Sequence, residues 1–129
     1  MNDGGRRRLA LYVDDFALNR LVMQNLFEAV GGWSVDLAED AASCLEHVGR
    51  SRPDLLLIDI HLDGVEGTAL LQRLRQLPGL AEVPAVAVSA DGQPGDIDAA
   101  RAAGFDDYWV KPIDKAQVGR TLATLFLKR

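Results

Sequence analysis

Short apolar runs, separated by helical patterns, constrain the fold of this chain more than any other feature of the sequence. Four of them occupy residues 9–13, 55–58, 85–88 and 108–110. Runs of this length are typical of strands buried on both faces of a parallel sheet. A fifth strand over residues 33–37 completes a pattern in which strand and helix alternate five times. The sequence therefore predicts one α/β domain.

Helical patterns fill the gaps between the strands, and each is bounded by residues that start or stop a helix. We expect helices over residues 16–30, 67–77 and 96–103, and two more that begin after the N-cap residues Asp40 and Asp114. Right-handed crossovers then place helices on both faces of a five-stranded parallel sheet. The predicted architecture is a doubly wound (βα)₅ domain.

The apolar side chains of each helix are expected to face the sheet. In the first helix, spacings of three and four residues select a stripe made of Leu18, Val22, Leu26 and Ala29. In the last helix the corresponding stripe consists of Val118, Leu122, Leu125 and Phe126. The fourth helix has few large apolar anchors, and we expect it to be the most mobile of the five.

Polar side chains follow four of the five strands, at the point where each strand ends. The acidic pair Asp14-Asp15 follows the first strand, and the others are followed by Asp59, Ser89 and Lys111. Because the carboxyl ends of parallel strands share one edge of a sheet, we expect these side chains to converge where open α/β sheets bind ligands. Carboxylates, a hydroxyl and an ammonium at one edge predict a phosphate site.

Three carboxylates at neighbouring strand ends repel one another unless a cation lies between them. Asp14, Asp15 and Asp59 offer oxygen ligands, which suit Mg²⁺ or Mn²⁺. Zinc prefers histidine or cysteine, and the two histidines of the chain, His47 and His61, are interpreted as structural or surface residues. We therefore expect a divalent metal ion held by oxygen atoms.

The same edge suits a phosphoryl group. Lys111 supplies a positive charge for one phosphoryl oxygen, Ser89 donates a hydrogen bond to another, and the metal ion neutralises a third. A carboxylate can act as the nucleophile and form an aspartyl phosphate. Asp59 is the candidate, because it stands alone after a wholly apolar strand, whereas Asp14 and Asp15 form a pair suited to holding metal.

Composition excludes several classes of function. The net charge of −5 and the pI near 4.9 argue against a nucleic-acid surface. The basic triplet Arg6-Arg7-Arg8 lies directly before the first strand and is interpreted as a solvated strand entry. The sequence has no run of about 18 apolar residues, the length that a membrane span needs. A single cysteine, Cys44, favours a reducing, cytoplasmic setting.

Five features together resemble the receiver domain of the two-component response-regulator family. They are Val13-Asp14-Asp15, Asp59 followed by Gly64 and Gly67, Val88-Ser89-Ala90, the segment AGFDDY over residues 103–108, and Lys111-Pro112. Each is weak alone, but their order and spacing are specific and extend over residues 9–127. The resemblance implies a flavodoxin-like fold with strand order 2-1-3-4-5. It divides the chain into a flexible segment, residues 1–8, and a receiver domain, residues 9–129.

The resemblance also implies a role for each acidic residue of the site. It makes Asp59 the phosphoacceptor in a phosphorelay. It implies that Asp15, Asp59 and the backbone carbonyl of His61 bind Mg²⁺, while Asp14 helps through water. Such a domain catalyses only its own phosphorylation and dephosphorylation, and its phosphoryl donor is a histidine kinase or a histidine phosphotransfer protein.

Further residues are implied to sense the phosphoryl group. Lys111 contacts it directly, Ser89 and Tyr108 form a conformational switch, and the Lys111–Pro112 peptide is expected to be cis. The downstream protein target is expected to bind the face made by the fourth helix, the fifth strand and the fifth helix. Asn19-Arg20, Ala90-Asp91 and the segment over residues 105–108 resemble receivers attached to hybrid histidine kinases.

Two alternatives remain open at this point. A phosphohydrolase of the haloacid-dehalogenase type also uses an aspartate nucleophile, a lysine and Mg²⁺, but it needs a second acid where this chain has His61. It also usually needs a cap region. An interaction module that has lost phosphorylation is the other alternative, and the intact acids and Lys111 argue against it.

Overall fold

A computed structural model describes residues 7–62 and 64–126 of the 129-residue chain. The strands are β1 Arg8–Val13, β2 Trp33–Ala38, β3 Leu55–Asp59, β4 His61–Leu62, β5 Val65–Glu66, β6 Ala85–Ser89 and β7 Asp107–Val110. The helices are α1 Ala17–Val30, α2 Ala41–Arg50, α3 Gly67–Arg75, α4 Pro94–Ala102 and α5 Lys115–Phe126. Of the predicted flexible segment, Arg8 belongs to β1, and residues 1–6 lie outside the described residues.

Five parallel strands form the main sheet in the order β2-β1-β3-β6-β7. In the numbering of the five predicted strands this is 2-1-3-4-5, so the predicted fold and strand order are confirmed. Val13 lies opposite Ala38 on one side and Ile58 on the other, and Asp59 lies opposite Val88. This register brings the carboxyl ends of the strands to one edge.

Helices cover both faces of the sheet, and each face has its own apolar core. On one face, Leu11 and Val13 of β1 belong to a cluster with Cys44 of α2 and the buried leucines of α3. On the other face, Ala10 and Tyr12 of β1 belong to a cluster with residues of α1 and α5. The central strand β3 is completely buried, as its unbroken apolar run predicts.

The predicted inward face of α1 is wrong. Met23 and Phe27 are the buried residues of this helix, whereas Leu18 is 63% exposed and Val22 is 41% exposed. Ala29 is also exposed and Leu26 only partly buried. Helix α1 has apolar side chains on more than one face. The face that contains Phe27 is buried because this side chain is larger than Leu18 or Val22, and its ring packs edge-to-face on Trp33 with ring centroids 5.7 Å apart.

Two helix starts have the predicted caps. Asp40 accepts a hydrogen bond from the Ser43 N–H at 2.8 Å, and Asp114 accepts one from the Gln117 N–H at 2.8 Å. Helix α4 begins at Pro94 rather than at the predicted Asp96, because proline is well suited to the first turn of a helix.

The predicted loop over residues 61–66 contains the short antiparallel strands β4 and β5, and Asp63 lies outside the described residues. In α5, Val118 and Leu122 are buried and Leu125 and Phe126 partly buried, as predicted. Over residues 7–62 and 64–126, the structure contains no helix that is both long and apolar enough to cross a bilayer.

Candidate functional site

The carboxyl edge of the sheet gathers the polar residues that the sequence singles out. Asp14 follows β1, and its N–H donates to the Ala38 carbonyl at 3.0 Å. Asp59 and Ser89 are the last residues of β3 and β6. Lys111 follows β7, and its N–H donates to the Ser89 carbonyl at 2.8 Å. Ordinary continuation of the strand pairing therefore places these side chains at one edge.

The carboxylates of Asp14, Asp15 and Asp59 form one cluster. Each offers an oxygen that lies within 4.8 Å of the oxygens offered by the other two. Asp14 is fully buried and Asp59 is 5% exposed, whereas Asp15 is exposed. Three hard oxygen ligands with one side open to solvent fit a divalent cation of the Mg²⁺ or Mn²⁺ type.

Lys111 bridges the two buried acids of the cluster. Its Nζ donates to Oδ2 of Asp14 at 3.1 Å and to Oδ2 of Asp59 at 3.0 Å. Burial alone would lower the pKa of Lys111, but the hydrogen bonds and negative charges of Asp59 and Asp14 outweigh it and raise the pKa above its ordinary value. The Lys111 side chain therefore stays protonated and positively charged at the site.

Asp14 and Asp59 differ in how well their negative charges are stabilised. Burial works to raise the pKa of Asp14, but hydrogen bonds from Tyr12, the Phe16 N–H and Lys111 lower it below its ordinary value. Burial raises the pKa of Asp59, and the charge of Asp14 adds to this, against the opposing bonds from His61 and Lys111. A less stabilised carboxylate is a better nucleophile, which favours Asp59 for covalent chemistry.

The two predicted switch residues meet at Asp91. Ser89 is buried, and its Oγ accepts a hydrogen bond from the Asp91 N–H at 3.0 Å. The Tyr108 hydroxyl donates to the Asp91 carbonyl at 2.5 Å. On the solvent side, Nε2 of His61 lies 3.6 Å from a carboxylate oxygen of Asp91, with both side chains more than half exposed. One loop residue thus contacts side chains from three parts of the site.

The segment after β3 is fixed tightly to the end of that strand. The His61 N–H donates to Oδ1 of Asp59 at 3.0 Å, and the Gly67 N–H donates to the Ile60 carbonyl at 2.7 Å. A Cβ atom at Gly67 would lie 2.5 Å from the Asp59 carbonyl oxygen, so this position accepts only glycine without a backbone shift. The Lys111–Pro112 peptide is cis, as the resemblance predicts.

Two contacts of Asp14 have no counterpart in the sequence-based prediction of the site. The Tyr12 hydroxyl donates to its Oδ2, and Nη1 of Arg20 donates to its carbonyl oxygen at 2.7 Å. The signal for Tyr12 is the two-residue spacing, since residues two apart in a strand point to the same face. Arg20 lies one turn into α1, and its contact with the Asp14 carbonyl depends on the path of the loop between β1 and α1, which the sequence does not reveal.

Comparison with protein families gives one match over most of the chain. A family model described as the response regulator receiver domain matches residues 10–123. The two-component response regulator ORR41 of Oryza sativa subsp. japonica is 36% identical over 116 residues, which cover 88% of this chain and 90% of the rice protein.

A second relative is much longer than this chain. The sensory/regulatory protein RpfC of Xanthomonas campestris pv. campestris is 34% identical over 117 residues, which cover 89% of this chain. The match spans 16% of the length of RpfC. The similarity therefore concerns one segment of that protein.

Solved structures with the same fold include proteins of recognisable sequence similarity. One is the receiver domain of the sensor histidine kinase PA1611 from Pseudomonas aeruginosa PAO1, which was solved with a magnesium ion in its active-site cleft. It superposes with a TM-score of 0.83 at 26% identity, over 95% of this chain and 100% of that one. A CheY-like receiver domain from Methylobacillus flagellatus gives a TM-score of 0.82 at 29% identity, over 92% of this chain and 98% of that one.

Proposed function

Because the chain belongs to the response regulator receiver domain family, we propose that Asp59 accepts a phosphoryl group from a histidine kinase or a histidine phosphotransfer protein. The family is one of signalling domains in two-component systems rather than of conventional enzymes. The observation that carries the proposal is the setting of Asp59, a buried carboxylate at the end of the central strand, 3.0 Å from Lys111 and beside two further acids.

The transfer is a single displacement at phosphorus. A carboxylate oxygen of Asp59 attacks the phosphorus of a phosphohistidine, the new O–P bond forms, and the P–N bond breaks with its electron pair returning to the imidazole. In this proposal the Lys111 ammonium stabilises the negative charge of the transferring group. Its contact with Asp59 supports this role.

The acid cluster fits a metal ion as cofactor. We assign Asp15, Asp59 and the backbone carbonyl of His61 as its direct ligands and Asp14 as a ligand through water. Bound Mg²⁺ or Mn²⁺ would supply positive charge to the phosphoryl oxygens in the transition state. The clustered oxygens of the three acids support a divalent ion, as does the magnesium ion in the PA1611 receiver.

Signalling follows from the charge that the phosphoryl group adds at the sheet edge. It brings roughly −1.5 to −2 charges and three acceptor oxygens. Lys111 and Ser89 move toward these oxygens. The hydrogen bond from the Asp91 N–H to the Ser89 hydroxyl is then broken. Because Tyr108 is bonded to the same residue, its ring is freed to turn inward. The effect is a population shift between two conformations.

We place the downstream protein target on the face formed by α4, β7 and α5. Tyr108 lies in β7, and Asp91 leads into α4, so both change when the site is phosphorylated. The acidic net charge of −5 favours a protein target over nucleic acid.

The cysteine of the chain bears on the cellular compartment in which the domain works. Cys44 is free and buried, and burial raises the pKa of its thiol to about 12. A free thiol suits the reducing cytoplasm, which we propose as the location of this domain.

The phosphoryl donor is assigned to a different surface. Four large apolar residues at the start of α1 and just before it are exposed, Phe16, Leu18, Leu21 and Val22. Two of them line a cavity of about 230 Å³ that also contacts Lys111 and Pro112. An exposed apolar patch of this kind marks a protein contact, and its continuity with the site suits the donor that must reach Asp59.

Acetyl phosphate labelling tests the proposal. Protein incubated with Mg²⁺ and labelled acetyl phosphate should gain an acid-stable, hydroxylamine-sensitive label, as expected for an acyl phosphate, and Asp59→Asn should lose it. Asp98→Asn, a matched change on the exposed face of α4, should keep the label. Absence of label in the wild-type protein would overturn the proposal in favour of an inert interaction module. Sustained turnover of a phosphate ester would overturn it in favour of a hydrolase.

A further inference from the structure

Tyr12 is a polar-tipped residue in the middle of an apolar layer. It lies in β1 and is 1% exposed, among Met23 and Phe27 of α1 and Val88 of β6. Its hydroxyl donates a hydrogen bond to Oδ2 of Asp14. A buried hydroxyl needs a partner, and here the partner is an acid of the phosphoryl site.

Asp14 receives hydrogen bonds from three separate parts of the fold. Besides Tyr12, the Phe16 N–H donates to Oδ1 at 2.9 Å, and Nζ of Lys111 donates to Oδ2 at 3.1 Å. The three donors come from β1, from the start of α1 and from the segment after β7. Together they fix the plane of a carboxylate that is fully buried.

We propose that Tyr12 is a positioning residue that orients the Asp14 carboxylate for metal binding and phosphorylation. The proposal rests on the proposed function, in which Asp14 and its neighbours hold a divalent ion. Tyr12 does not touch the reacting atoms, and it acts on the site through its hydrogen bond to Asp14.

The chemistry of the two oxygens explains why the tyrosine is needed. The terminal torsion of an aspartate side chain is broad, so hydrogen bonds set the orientation of its carboxylate. Among the residues that the structure describes, Oδ1 accepts from the Phe16 N–H alone, whereas Oδ2 is shared by Tyr12 and Lys111. Without the hydroxyl, one mobile ammonium is left to hold Oδ2.

Lys111 is also the residue that leaves during signalling. Under the proposed function its ammonium turns toward the phosphoryl group on Asp59, and its bond to Asp14 weakens. A buried carboxylate that loses its cation is strongly destabilised. The Tyr12 hydroxyl stays in place and keeps Oδ2 paired, so the release of Lys111 costs less.

Tyr12→Phe isolates this role, because it removes the hydroxyl and keeps the ring. Loss of a residue that orients a metal-binding group typically weakens metal affinity by roughly 10–100-fold, and we expect an effect near the lower limit. Leu55→Val is the matched control. It trims the same apolar layer at the opposite end of the sheet and does not alter the polar site.

The test is a titration of metal-free protein with Mg²⁺ by calorimetry, well below the melting temperature. Tyr12→Phe should raise the Mg²⁺ dissociation constant about tenfold, and Leu55→Val should leave it unchanged. The rate of phosphorylation by acetyl phosphate should fall in Tyr12→Phe at low Mg²⁺ and return toward the wild-type rate at saturating Mg²⁺.

Each outcome decides the proposal. An Mg²⁺ affinity of Tyr12→Phe within twofold of wild type would overturn it. An equal loss of Mg²⁺ affinity in Leu55→Val would also overturn it, because the loss would then reflect a general decrease in stability. Neither result touches the assignment of Asp59, because that depends on whether Asp59→Asn abolishes the label. Failure of the positioning role and failure of the proposed function are therefore separable.

Discussion

Nζ of Lys111 lies 3.0 Å from Oδ2 of Asp59, although the two residues are 52 positions apart in the chain. The strand order brings them within reach of each other: Asp59 ends β3, Lys111 follows β7, and a single strand, β6, lies between β3 and β7. Lys111 also contacts Asp14 at 3.1 Å, so one ammonium compensates two buried carboxylates. Several properties of the domain depend on that arrangement.

Removal of the ammonium should destabilise the metal-free protein. Lys111→Met leaves Asp14 and Asp59 without a cation, which costs about 3–5 kcal/mol for a fully buried pair. Because the Lys111 side chain is 21% exposed, we expect roughly 2 kcal/mol in urea unfolding. Mg²⁺ should recover more stability in this variant than in wild type. Lys111→Arg keeps the positive charge and should lose less stability than Lys111→Met. Equal stability of Lys111→Met and wild type would contradict the bridging role.

Replacement of the acceptor should stabilise the metal-free protein at neutral pH. The folded-state pKa of Asp59 is raised, chiefly by burial, above that of the unfolded chain. The folded state therefore holds the extra proton between these two pKa values, and the stability contributed by Asp59 falls as the pH rises through that window. Above it the ionised group costs free energy, which Asp59→Asn removes.

We expect Asp59→Asn to gain about 1 kcal/mol at pH 7, the scale of coupling between contacting groups, or roughly 4 °C in Tm. The gain should shrink as the pH falls through the window between the two pKa values and vanish below the unfolded-state pKa of Asp59, where the group is neutral in both states. Thermal unfolding without metal across acid and neutral pH measures it, with Asp98→Asn as the unaffected control. A variant less stable than wild type at pH 7 would count against the electrostatic account of the site.

Two glycines should respond to alanine in opposite directions. A Cβ atom at Gly67 would lie 2.5 Å from the Asp59 carbonyl oxygen and 2.8 Å from Cα of Ile60, so Gly67→Ala must displace the end of β3. We expect it to lose roughly 1–3 kcal/mol of stability and to phosphorylate more slowly. Gly119 lies inside α5 with nothing within 4 Å of such an atom.

Gly119→Ala should therefore gain about 0.5–1 kcal/mol from helix propensity and leave phosphorylation unchanged. Urea unfolding and acetyl phosphate labelling of both variants provide the measurement. If Gly67→Ala were as stable and as readily labelled as wild type, the close packing under the phosphorylation loop would be refuted.

The exposed start of α1 should matter for a protein donor and not for a small one. Leu18 is 63% exposed beside the site, and Leu18→Asp places a charge where we assign the donor surface. Transfer from a phosphorylated histidine phosphotransfer protein should slow about tenfold or more, as for loss of one apolar contact of a docked partner. Labelling by acetyl phosphate should be unchanged, because that donor needs no docking.

Ala102→Asp, an exposed position at the end of α4, provides a matched control for Leu18→Asp. It introduces the same charge on a different face and should leave both transfers unchanged. If Leu18→Asp slowed phosphorylation by both the protein donor and acetyl phosphate, or by neither, the assignment of this surface to donor binding would be wrong.

The sequence predicts the sheet and its acidic edge well because both depend on local, repeated signals. Apolar runs mark strands that are buried on both faces, and the residue after each run must lie at the carboxyl edge. Asp59 and Lys111 are therefore placed correctly without knowledge of distances. The glycine at position 67 also follows from the resemblance, although its packing against β3 does not.

Helix orientation is harder to predict, as α1 demonstrates. Leu18 and Val22 have suitable spacing, but Met23 and Phe27 have equally suitable spacing and fill the core. Periodicity identifies a helix, and the choice between two apolar faces depends on the volume available against the sheet. The exposed face that results is the one we assign to the phosphoryl donor.

Tyr12 illustrates a second limit of sequence-based prediction. A tyrosine in an apolar strand is normally a packing residue, and only the structure places its hydroxyl against Asp14. Contacts between a core side chain and a site residue depend on side-chain geometry, which composition and spacing do not contain. The same applies to Asp91, which receives the Tyr108 hydroxyl only through the path of its loop.

The central claim is that Asp59 itself forms the covalent bond, rather than either of the two acids beside it. The most direct measurement is borohydride trapping of protein phosphorylated with acetyl phosphate and Mg²⁺, followed by peptide mass spectrometry. The reduced residue should map to position 59 in wild-type protein and in Asp98→Asn, and should be absent from Asp59→Asn. Reduction at position 14 or 15, or no reduced residue at all in phosphorylation conditions, would contradict the account.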